Sequence, residues 1–85
     1  MTSVNYELYK IFYYVALNGS ISKAATSLYI SQPAVSQAIK NLEEQLGGQL
    51  LIRTKKGITL TDEGNIFFQY IKKELKIFKM VKTHS

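Results

Sequence analysis

A chain of 85 residues has room for one small domain, and 46% apolar content with a single Pro and no Cys describes a globular unit without a disulfide framework or a thiolate metal site. No run of about 18 uncharged apolar residues is available to span a bilayer, and "MTSVNYELYK" lacks the basic-then-apolar order of a secretory signal, so the expected location is the cytoplasm. Eleven Lys and Arg oppose six Asp and Glu, and a net charge of +5 asks for an acidic partner: nucleic acid, an anionic lipid surface or an acidic protein.

Between Asn5 and Leu17 the apolar residues Leu8, Ile11, Phe12 and Val15 recur at helical spacing, and Asn18-Gly19-Ser20 supplies the stop. Ser20 or Ser22 caps a second helix, barely two turns long, whose Ala24, Ala25 and Leu28 form a short stripe that lets a neighbouring helix approach closely. Ser31 is the next N-cap. Pro33 falls in the first turn, where a missing N–H costs nothing, so a third helix begins at Gln32. Along it Val35, Ala38, Ile39, Leu42 and Leu46 are expected to face the core and Ser36, Gln37, Lys40, Asn41 and Glu44 to face out, with Gly47 and Gly48 ending the helix by the left-handed route.

"QLLIRTKKGITLT" changes character and reads as a short hairpin about Lys55-Lys56-Gly57. Thr61 caps the last helix, and Asp62 and Glu63 in its first turn complement the helix dipole. At about 100° per residue, Ile66, Phe67, Phe68, Tyr70, Ile71, Leu75, Ile77, Phe78 and Val81 cover an arc of roughly 200° on this helix, with Gln69, Lys72, Lys73, Lys76 and Lys79 on most of the remainder. One packing contact needs about half that width, which implies two apolar surfaces: one for the first helix and one for a second copy of the chain.

The order is therefore helix, helix, helix, hairpin, helix. A short helix, a tight turn and a second helix whose exposed N-terminal residues are Ser, Gln, Pro, Ser and Gln has the layout of a helix-turn-helix. Short uncharged hydrogen-bonding side chains suit base edges in the major groove, because a Gln amide satisfies a donor and an acceptor together, whereas a long cation binds phosphate whatever the sequence. Arg53, Lys55 and Lys56 on a narrow hairpin reach flanking backbone or minor groove, and adding the hairpin makes a winged helix.

"GSISKAATSLYISQPAVSQAIKNLEEQLGGQLLIRT" followed by "ITLTDEG" resembles the N-terminal DNA-binding domain of LysR-type transcriptional regulators. The resemblance rests on Gly19-Ser20, Ala24-Ala25, Ser31-Gln32-Pro33, Ser36, Leu42-Glu43, Leu46-Gly47, Arg53-Thr54, Leu60-Thr61 and Gly64. It implies a mostly α winged helix-turn-helix over residues 1–61 and a linker helix over residues 62–85 that forms a homodimer on a palindromic double-stranded operator. The expected DNA-binding set is Ser31, Gln32, Pro33, Ser36 and Gln37, with Lys40, Arg53, Lys55, Lys56 and, as a lesser candidate, Lys23 on phosphates. Tyr70, Phe78 and Val81, with Tyr13 of the first helix, are assigned to the dimer contact. Members normally continue into a larger domain that senses a small-molecule effector, which nothing after Ser85 provides. The chain departs from the family pattern at Gln37, where a basic residue is common, at Leu51, where Phe is frequent, and at Tyr29, in a turn that favours small or polar residues.

Other readings of the same residues are weaker. Asp62 and Glu63 are adjacent on a helix start with no nucleophile or metal ligand nearby, so they cap rather than catalyse, and no cofactor or metal is expected. His84 is a tail residue, and Tyr6, Tyr9, Tyr13 and Tyr14 at helical spacing are packing or dimer residues before they are base-stacking ones. A basic amphipathic membrane-surface helix, or a protein-interaction module, explains the lysines but leaves the Ser-Gln-Pro turn and the hairpin without a purpose.

Overall fold

The computed structural model describes the backbone of residues 3–84 and the side chains of residues 6–75. Helices α1 (Ser3–Asn18), α2 (Ile21–Leu28) and α3 (Gln32–Leu46) are followed by strands β1 (Leu51–Thr54) and β2 (Gly57–Leu60) and by α4 (Asp62–His84), in the order expected. Local chemistry sets the boundaries. The Ser20 hydroxyl accepts the Lys23 N–H at 3.1 Å to start α2, and the Ser31 hydroxyl accepts the Ala34 N–H at 3.2 Å to start α3. Gly47 ends α3 at φ 76°, its N–H returning to the Glu43 carbonyl at 2.8 Å; Gly48, expected to share this role, does not take a left-handed φ.

The turn between α2 and α3 is closed by paired bonds, Tyr29 N–H to Thr26 O at 3.3 Å and Ile30 N–H to Ala25 O at 3.1 Å. This is the Schellman arrangement, whose left-handed position usually holds Gly. Here it holds Tyr29, at φ 59° and ψ 39°.

Leu8, Phe12 and Val15 of α1 meet Ala24 and Ala25 of α2 and Val35, Ala38, Ile39 and Leu42 of α3 in one core, which Leu50, Leu51 and Ile71 complete. The two alanines are almost wholly buried, as expected of methyl groups that let helices approach. Leu46 departs from expectation: it is 46% exposed rather than part of the core. It is the last residue of α3, one turn beyond Leu42, and the chain leaves at Gly47 before the core reaches it.

An aromatic seam joins α1 to α4. Tyr9 meets Phe67 edge-on at 5.3 Å, Phe12 lies 5.5 Å from the same ring, and Tyr13 stacks on Phe68 at 5.3 Å with 11° between planes. Beside this seam Ile66 is 73% and Tyr70 56% exposed, Tyr70 stacking on Phe67 at 6.3 Å, so the described part of α4 carries apolar surface beyond what the core covers. Phe78, Val81 and Lys76 lie outside the described side chains. Among the described residues no helix is long and apolar enough to cross a membrane.

Where α4 begins, three segments crowd together. The Thr61 hydroxyl donates to the Gln49 carbonyl at 2.7 Å and accepts the Gly64 N–H at 2.9 Å, while the Thr61 N–H donates to the Leu50 carbonyl at 3.0 Å. A Cβ on Gly64 would run into that same Leu50 carbonyl oxygen, with the Thr61 hydroxyl 3.2 Å away. Backbone, not a flexible side chain, is the obstacle. Gly64→Ala is therefore expected to destabilise the domain by about 3 kcal/mol, at the upper end for overpacking, read as a lower urea midpoint.

Candidate nucleic-acid interface

Burial of Val35, Ala38, Ile39 and Leu42 turns the opposite side of α3 outward, and that side carries Gln32, Pro33, Gln37 and Lys40, exposed, and Ser36, half-buried. A cleft of about 400 Å³ runs between this face and β1 and is lined by Pro33, Ser36, Gln37, Ile39, Lys40, Glu43, Leu51 and Arg53. Two cations and three short polar or cyclic side chains thus share one concave surface. Five of the ten residues expected to meet DNA, namely Pro33, Ser36, Gln37, Lys40 and Arg53, are brought together there. Gln32 is the exposed first residue of α3, and Ser31 has its hydroxyl engaged as the cap. Lys55 and Lys56 form the exposed hairpin tip, while Lys23 lies exposed on α2 and does not line the cleft.

The hairpin pairs Leu51 with Leu60, Ile52 with Thr59, Arg53 with Ile58 and Thr54 with Gly57, leaving Lys55 and Lys56 as the two-residue turn. The Thr54 hydroxyl accepts the Lys56 N–H at 3.2 Å and donates to the Gly57 carbonyl at 3.0 Å, so the tip is braced from within. Gly57 has φ 130°, and a Cβ there would sit 2.6 Å from the Gly19 carbonyl oxygen. That oxygen accepts the Ile58 N–H at 2.9 Å, which ties β2 to the turn between α1 and α2.

Two contributions were not assigned from the sequence. The Gln37 side-chain amide donates to the Asn41 side-chain oxygen at 2.9 Å, orienting one polar group of the α3 face with another. Spacing of four residues between Gln and Asn on one helix face was the available signal. The second is Glu43, whose carboxylate accepts the Leu50 N–H at 2.7 Å and the Leu51 N–H at 3.3 Å, joining the end of α3 to the start of β1. Seven and eight residues separate these partners, and no local pattern connects them. Among the described residues no group of three or more His, Cys, Asp or Glu is placed to hold a metal ion.

Two helices joined by a tight turn, the second presenting a polar N-terminal face, and a basic hairpin alongside define a winged helix-turn-helix, a DNA-binding rather than catalytic class. A family model described as "Bacterial regulatory helix-turn-helix protein, lysR family" matches residues 6–65, and the chain belongs to that family. It is 47% identical over 68 residues to a probable RuBisCO transcriptional regulator of Cyanidioschyzon merolae, covering 80% of this chain and 22% of that protein. It is 42% identical over 73 residues to the nitrogen assimilation regulatory protein Nac of Escherichia coli, covering 86% and 24%. The chain thus spans about a quarter of the length of these curated relatives. Among solved structures, the DNA-binding domain of BenM in complex with catB site 1 DNA superposes with a TM-score of 0.81 at 40% identity, covering 92% of this chain and 88% of that one. The DNA-binding domain of CbnR in complex with DNA gives 0.83 at 32% identity, covering 92% and 90%.

Removing the Glu43 carboxylate strands two N–H groups at the junction of helix and hairpin. Glu43→Ala is expected to cost about 1–3 kcal/mol in chemical denaturation, and Glu43→Gln, whose amide oxygen still accepts, to recover much of it.

Proposed function

We propose that the chain is the DNA-binding domain of a LysR-type transcription regulator, placing α3 in the major groove and the tip of the hairpin on flanking backbone or minor groove. The observation that carries this reading is the cleft in which Pro33, Ser36, Gln37, Lys40 and Arg53 converge, because it joins groups suited to base edges with groups suited to phosphate. Gln32, Ser36 and Gln37 read bases. Lys40, Arg53, Lys55 and Lys56 neutralise phosphates, with Lys23 a further contact from α2. Residues 1–61 form the DNA-binding unit and residues 62–85 the linker through which two copies pair, the exposed Ile66 and Tyr70 supporting such a surface. Tyr13 is half-buried with its ring stacked on Phe68, so only its remaining edge is offered to a partner. The chain is proposed to act in the cytoplasm; the relatives are regulators several times longer, and a small-molecule effector belongs to this reading only with a further domain outside these 85 residues.

The reading separates by experiment into three expectations. Gln32→Ala and Ser36→Ala should each reduce discrimination between a selected operator and random DNA by about 1–3 kcal/mol, and equal losses on both duplexes would remove them from base readout. Lys56→Ala should weaken both duplexes alike and flatten the slope of log K against log[salt] by about 0.9 per subunit, since counterion release counts phosphates and not bases; titrations at several salt concentrations supply the slope. Ile66→Glu combined with Tyr70→Glu should give monomers by sedimentation while helical circular dichroism is retained, because both side chains are exposed in a single chain.

A further inference from the structure

Tyr29 stands out within the helix-turn-helix because nothing in the fold accounts for it. Its side chain is 95% exposed, so the ring covers no core. A single exposed aromatic is ordinary, but this one occupies the left-handed position of a Schellman turn, at φ 59°. Bulky side chains are outliers in that backbone region, and Gly or Asn enters it more readily. It is the only non-glycine residue with a positive φ among the described residues. Both the conformation and the exposure therefore favour another residue on folding grounds alone, and retained strain of this kind points toward function.

Its placement indicates which function. Tyr29 lies two positions before the cap Ser31 and three before Gln32, at the end of α3 that faces DNA in the reading above. The same turn fixes its backbone through the bonds to Thr26 O and from Ile30 to Ala25 O, so the side chain leaves a rigid support. It sits in the turn ahead of α3 and not on the helix face that carries Ser36 and Gln37, which sets it at the flank of that face. A phenol is an uncharged donor at the end of a stiff arm, and Tyr is among the side chains that hydrogen-bond phosphate oxygens.

We infer that Tyr29 is a further DNA contact, its hydroxyl donating to a phosphodiester oxygen of the strand that passes the turn; this rests on the DNA-binding reading of α3. The contact orients the entry of α3 into the groove without adding charge.

The test uses the full chain with two probes: a duplex that the wild-type chain selects from a random pool, and an unselected duplex of the same length. Tyr29→Phe removes only the hydroxyl and should weaken both duplexes by roughly ten- to a hundredfold per subunit, the usual size for a hydrogen bond to a charged acceptor, with no change in salt slope. Tyr29→Gly should do the same while raising Tm, since Gly relieves the left-handed backbone. Tyr29→Asn, which also tolerates that conformation, should bind as weakly as the Gly variant and so exclude added flexibility as the cause. Undiminished affinity of Tyr29→Phe and Tyr29→Asn on both duplexes overturns the inference while leaving the DNA-binding reading intact. A loss confined to the selected duplex also overturns it, because phosphate carries no sequence information. Failure of the wild-type chain to bind either duplex overturns the DNA-binding reading, and this inference with it.

Discussion

The Glu43 carboxylate holds together two surfaces that have to act at a fixed separation. It leaves α3 among the residues that line the cleft and accepts the N–H groups of Leu50 and Leu51, where the hairpin begins. Both leucines are buried, so water is poorly placed to replace the carboxylate. The other strand is held separately by the Gly19 carbonyl on the Ile58 N–H. With one tie on each strand, the hairpin has little freedom to rock against α3. Recognition by a helix in one groove and a hairpin beside it depends on that rigidity, because a shift of an ångström takes hydrogen-bonding groups out of range.

Much of this was legible in the sequence because it is local. Ser31 with Pro33, the Ala24-Ala25 pair, the two lysines between β-branched runs and Thr61 before Asp62-Glu63 each declare their structure within four residues, and the caps at Ser31 and Thr61 form as expected. What was not legible depends on segments distant in sequence. Leu46 fits the apolar repeat of α3, yet its burial is decided by where the chain goes after Gly47. Gly64 sits in an ordinary helical stretch, and only the approach of the Leu50 carbonyl explains the missing Cβ. Of the candidate interface, residue types were readable but grouping was not: Arg53 joins Lys40 across the cleft because β1 packs beside α3, whereas Lys23 carries the same charge on α2, outside it. Tyr29 was visible as a departure from the family pattern, but its left-handed backbone and exposure belong to the fold.

Charge is distributed to match this division. The N-terminal turn of α3 presents neutral hydrogen-bonding groups, the helix has one cation, Lys40, and the others of this surface, Arg53, Lys55 and Lys56, are on the hairpin. In the proposed reading the neutral groups at the start of α3 meet base edges and the cations meet phosphates, whose contacts hold for any sequence. The Gln37–Asn41 bond limits how the Gln37 amide is presented on this face.

The aromatic seam between α1 and α4 has a mechanical consequence. At about 1.5 Å per residue, the 23 residues of α4 make a rod about 34 Å long, and Tyr9, Phe12 and Tyr13 grip it near its first end through Phe67 and Phe68. About 25 Å of that rod lies beyond the grip, so a tilt of about 8° there carries the far end by about 3.5 Å, close to the rise of one base pair. For a partner subunit seated on α4 as proposed, the angle between a few packed rings would act as the gauge for how many base pairs separate two half-sites.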